Sequence, residues 1–332
     1  MISEFNLISR YFDRPAPPGR EPVLGIGDDC ALLAPAPGKQ LAISTDMLVE
    51  GRHFFAGADA FLLGHKCLAV NLSDLAAMGA RPLAFTLALA LPEASDAWLA
   101  PFSRGLLELA DAQGCALIGG DTTKGPLTIS ITIFGELAPG QALRRDAAAV
   151  GDDIWISGSL GDARLALAGF RRESMASYPE GLVLDAAAQA QSARRMHAPT
   201  ARNALGMLLA ERQIAHAAID ISDGLCGDLG HILKRSGVGA VVDVDALPCG
   251  PMLAHQPQSL RRRFTLAGGD DYELCFTAAP GQRAAVLAAS RDSDTPVTRA
   301  GTIEAGSTLR YRDASGAPLL LAPDSFDHFT SP

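Results

Sequence analysis

A chain of 332 residues is longer than one core comfortably organises, since single cores stop growing at roughly 250 to 300 residues, and so two domains are expected. With 48% hydrophobic and 20% charged residues it reads as ordered and globular, which excludes a disordered or fibrous protein. A formal net charge of -9 argues against non-specific attraction to nucleic acid or anionic membrane, and it demands that any anionic substrate be met by metal ions or local Arg and Lys.

Along the chain, Phe5, Ile8 and Phe12 recur at spacings of three and four and predict a short amphipathic helix, stopped by "RPAPPGREP". The strand-like Leu41, Ala42 and Ile43 then run into Ser44, Thr45 and Asp46, with His53 close behind. Residues 61–80 predict a helix with Leu68, Leu72, Leu75 and Ala76 on one stripe, Asn71 and Asp74 on a common face, and Gly79 as its stop. A strand over 83–91, a helix over 96–113, a strand over 117–121 and an alternating strand over 127–137 follow. The apolar run at 83–91 is about half the length of a membrane-spanning helix, so no membrane segment is expected.

The charged, turn-rich stretch 138–153 marks a boundary between domains 1–148 and 149–332. In the second domain "DIWISG", "AAIDIS", "GAVVDVDAL" and "DYELCFTA" read as strands, 183–195, 200–211 and 224–236 as helices, and "YRDASGAPLL" as a terminal hairpin. Both halves are therefore α/β or α+β. Six cysteines without a C-x-x-C pair, and no signal peptide in the opening residues, predict buried thiols in a cytoplasmic protein.

The chemistry candidates share one pattern, a glycine-flanked or small-residue-flanked Asp after an apolar run: "GIGDDC", "ISTD", "NLSD", "IGGDTT", "IDISDG" and "AGGDDYEL". Each alone is more often an Asx-turn or a helix N-cap. As a set they indicate a hard-cation and phosphate site. Mg²⁺ takes oxygen ligands and is usually held by carboxylates together with substrate phosphates, and adjacent glycines let a phosphate approach the backbone. His53 and Arg145 are candidate phosphate contacts, Arg145 by preceding a Gly-Asp turn. G-x-x-x-x-G-K-[ST], G-x-G-x-x-G, the protein-kinase signatures, H-E-x-x-H and a G-x-S-x-G elbow are all missing, which argues against a P-loop, a dinucleotide fold, a protein kinase, a zinc enzyme and a serine hydrolase.

In order, "GIGDDCA", "STDMLVEGRHF", "GHKCLAVNLSDLAAMGARP", "GGDTTKGP", "GDDIWISG", "IDISDGL", "GGDDYEL" and the terminal "FDHF" closely resemble the thiamine-monophosphate kinase family of the PurM-like ATP-binding superfamily. The resemblance implies two α/β (α+β) domains, with the N-terminal sheet forming a barrel across a homodimer. It implies an ATP-dependent phosphotransferase that converts thiamine monophosphate to thiamine diphosphate by direct in-line γ-phosphoryl transfer assisted by several Mg²⁺ ions. By motif, Asp29, Ser44, Thr45, Asp46, Asp74, Asp121, Asp220 and Asp223 correspond to metal ligands, with Asp46, Asp74, Asp121 and Asp220 the carboxylates carrying catalysis. Gly120, Asp121, Arg145 and Ser222 correspond to ATP contacts, and His53, Asp270 and Phe326 to substrate contacts. Asp270 stands where the family often has Glu, and Phe326 where Trp or Tyr occurs. A carboxylate and an aromatic face suit the cationic thiazolium. The alternatives are another ATP-using enzyme of the superfamily, such as one like aminoimidazole ribonucleotide synthetase, and a non-catalytic scaffold that kept the fold. The "STDMLVEGRHF" stretch speaks against the first and the intact Asp set against the second.

Overall fold

The computed structural model describes residues 4–19, 22–27, 29–173, 178, 181–182 and 184–321. The chain divides into two compact units, Met1–Leu75 with Ala80–Gly140, and Ala76–Gly79 with Gln141–Pro332.

The first unit opens with α1 (Glu4–Tyr11), which buries Leu7 and Tyr11 and leads to a buried Phe12. β1 (Gln40–Val49) follows. α2 (Ala60–Met78) is enclosed on every side along its middle, with each residue from Lys66 to Ser73 buried. The expected stripe of Leu68, Leu72 and Leu75 is thus only part of its buried surface, as fits a helix apolar around most of its circumference. Then come β2 (Arg81–Leu91), α3 (Asp96–Gln113), β3 (Ala116–Lys124) and β4 (Thr128–Leu137). The left-handed Gly114 ends α3, and Asp96 in its first turn accepts from Arg10 Nη1 at 3.0 Å and from the Tyr11 hydroxyl at 2.5 Å.

These strands form one sheet in the order β1-β4-β2-β3, with only β2 and β3 parallel. Leu87, Leu89, Ile129, Ile131 and Ile133 alternate onto a buried face. Leu41, Ile43 and Met47 on β1 point the other way and are 40%, 60% and 56% exposed. The sheet is open, and among the described residues one chain closes no barrel.

The second unit comprises β5 (Asp153–Ser157), α4 (Asp162–Phe170), α5 (Ala186–His197), α6 (Asn203–Glu211), β6 (Ala217–Ile221), α7 (Leu225–Ser236), β7 (Gly239–Asp243), α8 (Gln258–Ala267), β8 (Glu273–Ala278), α9 (Arg283–Asp292), β9 (Val297–Glu304), β10 (Leu309–Arg312) and β11 (Pro318–Leu319). Its sheet runs β11-β10-β7-β9-β5-β8-β6. Ile154 and Ile156 pack with Leu225, Leu229 and Ile232 of α7, while Trp155 between them packs with Leu205 and Leu209 of α6 and Val286 of α9. The strand alternation thus covers both faces with helices, and the three layers bury two cores. The hairpin predicted near the C-terminus is β10 with β11. Cys67, Cys115 and Cys275 are buried as expected, but Cys30 is exposed.

Candidate active site

Asp46 and Ser44 do not sit at a strand end. β1 pairs with β4 without interruption from Gln40↔Leu137 to Val49↔Thr128, so Ser44, Thr45 and Asp46 lie mid-strand. Alternation then separates them. Ser44 and Asp46 face α2, where the Ser44 hydroxyl donates to Asp74 Oδ2 and the Asp46 amide donates to Asn71 Oδ1 at 3.2 Å. The common face of Asn71 and Asp74 is what receives this strand. Thr45 points to the opposite face, its hydroxyl 2.9 Å from that of Thr132.

Asp121 and Gly120 lie within β3 rather than in a turn after it. Register carries Asp46 across Ile131 and Leu87 to Gly120, and Met47 across Ser130 and Ala88 to Asp121. Directly paired residues share a face, so Asp121 is on the face of Thr45 and not on that of Asp46. Three strand spacings also put β1 and β3 about 14 Å apart. Asp46 and Asp121 of one chain therefore do not share an ion. Gly120 has φ +148°, and a Cβ there would stand 1.9 Å from the Leu87 carbonyl oxygen, so the two parallel strands approach this closely only with glycine. Asp29 is exposed, next to a residue outside the described set.

His53 is fixed by its own turn. Its Nδ1 accepts the Val49 amide at 3.0 Å while its amide donates to the Val49 carbonyl at 3.0 Å. An accepting Nδ1 puts the proton of the neutral ring on Nε2, which is thereby a donor.

In the second unit Asp220 is buried one residue before the end of β6, and Ser222, Asp223 and Gly224 turn the chain into α7. Asp228, in the first turn of α7, accepts the Ser222 amide at 3.1 Å and the Asp223 amide at 3.2 Å. Burial first, then the charges of Asp220 and Asp223, raise its pKa to about 8. Sequence reading missed Asp228. The signal available was an acidic residue in the first helical turn after "SDG", where it can reach back to unpaired amides.

The "GGDDYEL" segment lies against this turn. The Asp270 amide donates to the Ser222 carbonyl and the Tyr272 amide to the Ile221 carbonyl, both at 2.8 Å. Asp270 and Tyr272 are left-handed, with φ +68° and +50°. Gly269 has no room for a side chain, since a Cβ would come within 2.5 Å of the Ser222 carbonyl oxygen. Asp220, Ser222, Asp223 and Asp270 are thus gathered in one place. Arg144 forms a two-point ion pair with Asp146 at 2.8 and 2.6 Å. Arg145 is exposed, its carbonyl accepting Ser236 Oγ at 2.9 Å. Phe326 lies outside the described residues.

Among the described residues no group of three or more His, Cys, Asp or Glu side chains is assembled as a metal cage. The donors present are nonetheless oxygen atoms without sulfur, and burial together with the charges of Asp220 and Asp223 raises the pKa of Asp228 beside them. Such a set fits a hard cation that takes one or two carboxylates and completes its shell with water and substrate phosphates.

Residues 27–137 match the AIR synthase related protein N-terminal domain and 149–313 its C-terminal domain, which defines the class of two-domain protein that these units form. The chain belongs to the thiamine-monophosphate kinase family. It is 45% identical to the thiamine-monophosphate kinase of Salmonella typhimurium, over 99% of each chain. Among solved structures it is similar to thiamine-monophosphate kinase from Stenotrophomonas maltophilia K279a (TM-score 0.80, 49% identity, 87% of this chain and 90% of that one). It is also similar to AaThiL complexed with AMPPCP and TMP (TM-score 0.75, 27% identity, 89% of each).

Proposed function

We propose that this protein transfers the γ-phosphoryl group of ATP to the phosphate of thiamine monophosphate, giving thiamine diphosphate and ADP. The observation that carries this reading is the similarity to a thiamine-monophosphate kinase at 45% identity over 99% of both chains. The ligands of AaThiL, AMPPCP and TMP, support an ATP-like donor and a thiamine monophosphate acceptor. The bond between the β-bridging oxygen and the γ-phosphorus breaks as an acceptor phosphate oxygen bonds to that phosphorus in line, and ADP leaves. Such a transfer asks the protein for positioning and charge neutralisation rather than covalent chemistry.

Ser44, Asp46 and Asp74 would hold one Mg²⁺, Asp121 a second, and Asp220 with Asp223 a third, while Thr45 and Asp29 would each complete one of these shells. When bound, Mg²⁺ supplies the positive charge against the phosphates that a chain of net charge -9 does not offer by itself. Gly120, Ser222 and Arg145 contact ATP in this reading. His53 donates from Nε2 to the acceptor phosphate, Asp270 attracts the thiazolium, and Phe326 covers that ring. His53→Ala is expected to raise the KM for thiamine monophosphate about tenfold, the worth of one hydrogen bond to a charged group, and to leave the KM for ATP unchanged. Equal shifts in both constants would remove the acceptor role.

The open face of β1, with Leu41, Ile43 and Met47 exposed on a ten-residue edge strand, supports a homodimer whose two sheets complete a barrel, because a long apolar edge left uncovered invites pairing. Sedimentation is expected to give a dimer, and Ile43→Glu with Met47→Glu a monomer. No helix among the described residues is long and apolar enough to cross a membrane. With the thiols free, a cytoplasmic setting suits the protein.

The test of the reaction is ADP release from Mg-ATP with thiamine monophosphate, against free thiamine and no acceptor, with the product identified by mass. One thiamine diphosphate per ADP, from the monophosphate alone, is the expected result. ATP binding without that product would move the acceptor to another substrate of the superfamily.

A further inference from the structure

The "GGDDYEL" segment holds two non-glycine residues in left-handed backbone, Asp270 and Tyr272, a conformation that persists only where the surroundings impose it. Three sets of contacts do so. On one side are the amide bonds to Ser222 and Ile221. On another, the carboxylate of Asp271, itself 1% exposed, accepts the Gly161 amide with both oxygens at 2.9 and 3.0 Å. On the third, Arg195 Nη2 donates at 2.9 Å to the Asp271 carbonyl, which lies between the two left-handed residues, and at 2.9 Å to Glu273 Oε1.

Glu273 is fully buried and saturated. It accepts Ser157 Oγ at 2.6 Å and Arg202 Nε and Nη2 at 2.6 and 2.5 Å, besides Arg195. Arg202 reaches only this carboxylate among these groups, whereas Arg195 joins it to the peptide that orients Asp270.

We propose that Arg195 is a positioning residue that sets recognition of the cationic acceptor, by holding the Asp271 carbonyl and with it the left-handed backbone of Asp270. The inference rests on the proposed role of Asp270 as the acceptor contact. Loss of Arg195 frees the peptide to rotate toward ordinary backbone angles, which moves the Asp270 carboxylate. The Ser222 and Asp223 amides stay held by Asp228, so the nucleotide side is left in place.

The test is steady-state kinetics with the full chain for Arg195→Gln, Arg195→Lys, Asp270→Asn and the double variant Arg195→Gln with Asp270→Asn, each with its melting temperature. Arg195→Gln is expected to raise the KM for thiamine monophosphate about tenfold with the KM for ATP within twofold. Arg195→Lys, shorter but still charged against Glu273, is expected to show a smaller rise, and it carries the test if the glutamine variant fails to fold. In the Asp270→Asn background the Arg195 change is expected to add nothing, because the group it positions is already gone. An additive double variant, or equal losses for both substrates, would overturn the positioning role while leaving the reaction intact. A wild-type chain inactive on thiamine monophosphate would instead remove the reaction, and this role with it.

Discussion

Asp46→Ala and Asp74→Ala are each expected to lower kcat by about 10³-fold while the chain keeps its fold. Stabilising transition-state charge through a bound metal is worth several kcal/mol, and each 1.36 kcal/mol is about tenfold in rate. Asp46 and Asp74 lie where β1 meets α2, the Asp46 amide donating to Asn71 and the Ser44 hydroxyl to Asp74. Both are only half-buried, so their removal opens no large cavity. The measurement is turnover at saturating Mg²⁺, with circular dichroism as the check on folding. Wild-type turnover in either variant would remove that carboxylate from the metal set. The companion Thr45→Val separates the two faces of the strand. Its hydroxyl partner is Thr132, so a loss as large as that of Asp46→Ala would mean that the open face carries chemistry of equal weight.

The second large effect falls on stability. Glu273→Ala is expected to destabilise the second unit by about 3 kcal/mol or more, since it strands two arginines against a buried space with no counter-charge. Glu273 is 0% exposed, and its partners Arg195 and Arg202 are 21% and 15% exposed in their side chains. The pair Arg10 with Asp96, at 60% and 51% exposure, contributes little by the same logic, because water screens it. For a unit of this size the Glu273 loss corresponds to a melting temperature lower by roughly 10 °C. A drop no larger than that of Asp96→Ala would show that the buried clamp carries no net stability.

Most elements were legible in the sequence because their periodicity is strong. The α3 helix spans Asp96–Gln113, where residues 96–113 were expected, and β4 spans Thr128–Leu137 inside the expected 127–137. β1 was read short for a definable reason. Asp is a poor strand former and looks like the end of a run, and the pairing that carries the strand through Ser44, Thr45 and Asp46 belongs to β4, over eighty positions away. The Asp-bearing segments were likewise recognisable as a set, but not their division between two faces of one sheet, which depends on register. Arg195 and Arg202 lay beyond reach altogether: their carboxylate is 78 and 71 residues distant, and nothing in the local pattern distinguishes them from solvated helix arginines.

The pairing of β1 also sets an order of events during synthesis. Among the described residues its strand partner is β4, so Val49 waits for Thr128 and Gln40 for Leu137. β2 and β3 can pair with each other as soon as β3 is made, whereas the strand bearing Ser44 and Asp46 stays without a ladder until the last strand of its unit leaves the ribosome. Closing so long a loop is what slows non-local strand pairing. A nascent chain halted before residue 128 therefore has Ser44 and Asp46 in hand without the β1–β4 ladder that places them.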